Sequence, residues 1–212
     1  MIPFIQPYQF HFIKKQTQVL TNGHLTVNDP DVIRALESLA EEKVMALFEG
    51  LTDEQRRLLT PIVDIKAKDD AEAFLETIKQ YVIPFPEITD KAIAKLFPKA
   101  KKRKVPTMDE VDLKETTYLG WVDKQSGKKL IITQHEGKLV GLEGTFSGIV
   151  NKGICMLCGG HEEVGLFMVK TKRSGIDNFT NMGNYMCKDS EACNRNLTDL
   201  EKLHEFIERV NR

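Results

Sequence analysis

The chain has 212 residues, 41% of them hydrophobic, and 30 Lys and Arg against 31 Asp and Glu give a formal net charge of −1. That length holds one large domain or two of about 100 residues each. The composition excludes a disordered polyelectrolyte and a collagenous or low-complexity chain.

No apolar run reaches the ~18–20 residues needed to cross a bilayer. The amino-terminal stretch places Lys14 and Lys15 after its apolar residues, the reverse of a secretory signal. A cytoplasmic protein with no membrane partner is expected, and its four cysteines should stay reduced. Charge is uneven: residues 1–98 hold 11 basic and 15 acidic side chains, and residues 99–212 hold 19 and 16. All four cysteines lie in the second part, so two modules with separate roles are expected.

Residues 1–98 read as a helical bundle. Ile5, Tyr8, Phe12, Ile13, Val19 and Leu20 recur at helical spacing. Asp29 and Pro30 open a second helix, with Ile33, Leu36, Leu39, Ala40, Val44 and Leu47 on one stripe and Gly50 as its stop. Thr52 and Gln55 form a capping box for a third helix that Pro61 should bend. A fourth should begin near Asp69 and bury Phe74, Leu75, Ile78 and Val82. A short fifth, capped by Thr89, should use Ile93, Leu96 and Phe97.

Residues 99–106 carry five basic side chains and read as an exposed basic linker. From 107 to 212 the pattern becomes that of a mixed α/β domain, which makes the whole an α+β chain. Strands are predicted at 117–122, 129–133, 138–142 and 163–169, with reversals at Ser126-Gly127 and Glu136-Gly137. A final helix capped by Thr198 should pack through Leu200, Leu203, Ile207 and Val210, with Phe206 at the margin of that stripe.

Cys155-x2-Cys158 and Cys187-x5-Cys193 carry the strongest chemical signal. A two-residue gap lets two sulfurs of a tight turn converge on one ion, and four thiolates close a tetrahedral structural Zn²⁺ site. A glycine-flanked knuckle first and a helix start last is the plan of a treble-clef finger. A redox pair, an iron–sulfur cluster and inert core thiols are the competing readings.

No nucleophile elbow, phosphate-binding glycine loop, HExxH or dinucleotide fingerprint is present, and a closed four-cysteine site leaves no position for a reactive water. Binding without catalysis is the expectation. Lys170, Lys172, Arg173, Lys188 and Arg195, interleaved with Phe179 and Tyr185, suit either RNA or an acidic protein.

The segments Tyr118-Leu119-Gly120-Trp121, Lys152 through Cys158, Gly183 through Ser190, Cys193-Asn194, Leu197-Thr198-Asp199 and Phe206-Ile207 resemble the FusB/FusC-type elongation factor G-binding proteins. The resemblance implies a helical bundle joined to a treble-clef zinc domain. It also implies non-enzymatic binding of elongation factor G that promotes its release from ribosomes stalled by fusidic acid.

In that family an aromatic before the first cysteine, a lysine and a tyrosine before the third, and a phenylalanine of the last helix contribute to the contact. Tyr185 and Phe206 match, Ile154 replaces the aromatic, and Met182 stands in place of the lysine. With Lys188 these form the expected partner surface, and the metal ligands are Cys155, Cys158, Cys187 and Cys193. A monomer that meets the ribosome through the factor is expected. The alternative is an RNA- or ribosome-binding zinc protein that uses Lys101–Lys104 and the zinc-domain bases.

Overall fold

The computed structural model describes residues 1–98, 111–123, 126–147, 151–172 and 179–211. The expected linker at 99–106 and Arg173 lie outside them, as do the side chains of Lys172 and Phe179. The chain divides into two compact units, Met1–Pro84 and Phe85–Arg212.

The first unit contains α1 (Pro7–Thr26), α2 (Pro30–Met45), α3 (Asp53–Leu59), a 3-10 turn (Thr60–Asp64) and α4 (Lys68–Lys79). The ends follow local chemistry. Asp29 accepts from the Asp31 N–H at 2.8 Å. Thr52 and Gln55 exchange side chain and backbone bonds at 3.2 and 2.9 Å. Pro61 converts the end of α3 into the 3-10 turn.

The expected face of α1 is rotated. The helix starts at Pro7, which leaves Ile5 outside it in a parallel bridge with Val82. The buried stripe is Phe10, Ile13, Thr17 and Leu20, while Val19 is exposed. Phe10, Ile13 and Leu20 join Ala40, Val44, Leu59, Ile62, Phe74 and Ile78 in one core.

The second unit begins with α5 (Asp90–Leu96), capped by Thr89, whose hydroxyl accepts from the Ala92 N–H at 3.2 Å. The division after Pro84 therefore falls earlier than the boundary expected at residue 98. Phe85, Ile88, Ile93 and Phe97 bury themselves against Leu119, Leu130 and Ile132 of the sheet. A helix this short is stable only where its apolar face finds such a surface.

The strands are β1 (Tyr118–Asp123), β2 (Lys128–His135), β3 (Lys138–Phe146), β4 (Asn151–Ile154), β5 (His161–Lys172) and β6 (Phe179–Cys187). All their pairings are antiparallel, in the order β1-β2-β3-β5-β4, with β6 also on β5. The β2–β3 reversal uses positive φ at Glu136 and Gly137, 49° and 71°, as a tight hairpin requires. Residues of β5 that pair with β6 also pair with β3 or β4, so β6 takes one edge of β5 while β3 and β4 share the other.

The β1–β3 region is covered on both faces, which explains the near-continuous apolar run of β2. Leu119, Leu130 and Ile132 face α5, and Tyr118, Ile131 and Leu142 face the core that holds the cysteines. Two helices complete the unit, α6 (Ser190–Asn196) and α7 (Glu201–Asn211). Asp199, rather than Thr198, accepts from the first N–H of α7 at 3.2 Å.

Candidate metal centre and docking face

The first cysteine pair sits on the turn between β4 and β5. The Cys155 N–H donates to Gly160 O and the Gly159 N–H to Cys155 O, both at 2.9 Å. Gly159 has φ of 69°, a conformation that a side chain would strain. The second pair spans the end of β6 and the start of α6. Asp189 caps that helix through the Glu191 N–H at 2.9 Å, and the Cys193 N–H donates to Asp189 O at 3.2 Å.

The four Sγ atoms lie within 4.8 Å of one another. The Cys155–Cys193 and Cys158–Cys187 separations are 3.8 and 3.7 Å. Tetrahedral bonds of ~2.3 Å to one ion place sulfurs about 3.8 Å apart, which these two separations match. Cys155, Cys187 and Cys193 are fully buried.

The electrostatics also fit a cation. Hydrogen bonds from Cys158, Cys187 and Cys193 push the Cys155 thiol far down, and hydrogen bonding to Cys155 pushes Cys187 and Cys193 far up. One thiolate therefore opposes the next, and a divalent cation would let all four ionise. Burial, reinforced by Cys193 and Cys155, holds the Tyr118 phenol well above its usual pKa. Its buried hydroxyl lies beside Cys193 and Ser190, where a thiolate would serve as its acceptor.

Two supporting residues were assigned no role from the sequence. Asn194 joins α6 to β1: its Oδ1 accepts from the Thr117 and Tyr118 N–H groups at 2.8 and 3.1 Å, and its Nδ2 donates to Tyr118 O and Ser190 O at 2.9 Å. Lys129 of β2 is completely buried and donates through Nζ to Cys187 O at 2.7 Å and Lys188 O at 3.0 Å. Burial pulls its pKa down to about 8 against the opposing attraction of Cys193, Cys187 and Cys155.

The expected partner residues separate into surface and core. Ile154 is 58% exposed and Tyr185 56% exposed. The Met156 N–H donates to Tyr185 O at 2.8 Å, tying the knuckle to β6, and Met156 is itself 49% exposed. Register places Tyr185 opposite Leu166 and Gly183 opposite Met168, so Leu166, Met168 and Tyr185 share one sheet face. The exposed apolar stripe thus includes Met156 and Met168, which sequence reasoning missed because methionine gives no positional signal. Lys188 lies just beyond β6, exposed, with Nζ 3.6 Å from Glu163 Oε2.

Phe206 and Met182 correct the expectation. Phe206 is 1% exposed and its ring lies 6.0 Å from that of Phe167, so it is a core residue closed to a partner. The hydrophobic stripe of α7 is wider than the wheel implied and takes in Leu203, Phe206 and Ile207 together. Met182 is half-buried and pairs with Val169. Three residues from Tyr185, it faces the opposite side of the sheet.

Comparisons with known proteins agree with this geometry. Residues 4–86 match the family model of the elongation factor G-binding protein N-terminal region, and residues 94–210 match that of the FBP C-terminal treble-clef zinc-finger. The structure of the fusidic acid resistance protein FusC superposes with a TM-score of 0.85 at 31% identity, covering 99% of each chain. A search of curated proteins found no match. A helical bundle, a cysteine quartet on a treble-clef frame and a full-length likeness to FusC converge, and the chain belongs to the FusB/FusC-type family of elongation factor G-binding proteins.

Proposed function

We propose that this chain binds elongation factor G, without catalysis, through a surface that includes the exposed residues Ile154, Met156 and Tyr185, and so promotes release of the factor from ribosomes stalled by fusidic acid. The observation that carries this reading is a group of apolar side chains left in water around a frame that a metal would make rigid. Such a patch is an interface signature. One structural Zn²⁺ held by Cys155, Cys158, Cys187 and Cys193 is the proposed cofactor, because thiolates in a tetrahedral set favour it.

Release needs no bond to be made or broken. Preferential binding to a conformation of the factor that grips the ribosome less tightly shifts the population toward departure. Lys188, exposed just beyond β6, steers approach, while Phe206 acts from inside by holding α7 against β5. In this reading the protein works in the cytoplasm as a monomer, and it meets the ribosome through the factor. Among the described residues no helix is long and apolar enough to cross a membrane.

Size exclusion of the two purified proteins tests the reading. Co-elution at micromolar concentration that Tyr185→Ala weakens is the expected result, and separate elution of the wild-type pair would overturn it. Binding that requires RNA and collapses with added salt would instead favour the RNA-binding alternative.

A further inference from the structure

Lys129 is a charged side chain with no exposure to water, on the β2 face that looks toward the cysteines. Its ammonium is held by three uncharged groups: Cys187 O at 2.7 Å, Lys188 O at 3.0 Å and the face of Phe146, 4.9 Å from the ring centroid. A buried ammonium is costly unless opposite charge lies nearby. The groups that would become anionic on binding a metal are the cysteines of the same core, and Lys129 grips the backbone of one of them, Cys187, directly. Four thiolates around a divalent ion carry a formal double negative charge, and among the described residues Lys129 is the one fully buried lysine or arginine.

We propose that Lys129 is a positioning residue of the metal centre. Its ammonium clamps the carbonyls of Cys187 and Lys188, which fixes the third ligand where β6 ends, and its charge offsets part of the negative charge of the thiolate set. The proposal rests on the zinc reading above. Because the clamped carbonyls follow Tyr185 by only two and three residues, the same contact sets the end of the strand that carries the docking tyrosine.

The test compares full-length wild type with Lys129→Met and Lys129→Gln. Zinc content, chelator competition and the sulfur-to-metal charge-transfer band of the cobalt-substituted protein are measured on each. Outer partners of metal ligands are worth about 10–100-fold in affinity. Both variants should hold Zn²⁺ more weakly by a factor of that order, and excess Zn²⁺ should restore their thermal midpoints toward that of wild type. The cobalt band should keep its four-thiolate character and move to lower energy, because removing a positive charge leaves the sulfurs easier to oxidise. A purely structural role would not move that band.

If Lys129→Met fails to fold, Lys129→Gln, which keeps an N–H donor, decides. Folded variants with wild-type zinc affinity and an unmoved band would overturn the proposal. So would failure of both to fold in excess Zn²⁺, since Lys129 would then serve the core alone. Wild type that neither contains nor takes up zinc would overturn the zinc reading itself, whatever the variants do.

Discussion

Tyr185 and Phe206 are both aromatic residues of the second unit, but at 56% and 1% exposure their removal reports different things. Phe206→Ala leaves a hole against Phe167 and should cost about 3–5 kcal/mol in urea unfolding. Tyr185→Ala should stay within about 0.5 kcal/mol of wild type in the same assay. It should nevertheless weaken binding of elongation factor G by about tenfold or more in a titration, as an interface anchor does. Equal stability losses for the two variants would contradict the division into core and surface. Gly144 is constrained in another way. A Cβ there would run into the Met168 carbonyl and the Phe167 ring, where β3 meets β5. Gly144→Ala should cost about 1–3 kcal/mol by overpacking, read from the unfolding midpoint.

At the scale of the element, helix ends can be titrated. Asp70 accepts from the Lys66 and Ala67 N–H groups at 3.1 and 2.9 Å at the start of α4, and these bonds lower its pKa from 3.8. Below its ordinary pKa the unfolded chain takes up the proton first, so the contribution present at neutral pH is lost as pH falls through the folded value. Asp70→Asn should therefore flatten the acid limb of the first unit's stability profile, measured by helical circular dichroism. An unchanged acid limb would contradict that cap. Signals of this local kind were the legible ones: Asp29, Thr52, Gln55, Pro61, Thr89 and Gly137 all act where the sequence places them. The face of α1 was not legible, because its choice depends on partners distant in the chain. Gln9 is buried there since its Nε2 reaches Leu47 O at 2.8 Å, and Thr17 since its hydroxyl donates to Lys14 O at 2.8 Å. The four residues of β4 gave too short a run for periodicity to register. The cysteine quartet was legible from spacing. Lys129 and Asn194 were not, since a lysine on a strand and an asparagine on a helix read as surface until the fold buries them.

At the scale of the molecule, the core of the first unit draws on residues from Ile5 to Val82, and those of the second on residues from Phe85 onward. Loss of the metal should therefore act on one unit. A chelator should abolish cooperative melting of the second unit and leave the helical transition of the first in place, so that only the first unit's step remains in calorimetry. A single transition that shifts as a whole would contradict this. The exposed stripe has a cost of its own. Ile154, Met156 and Tyr185 stand 58%, 49% and 56% uncovered in the free protein, and greasy side chains left wet will adhere to whatever is near. Copies made in excess over the translocation factor would meet one another instead, so the useful dose of this protein is tied to the abundance of its target.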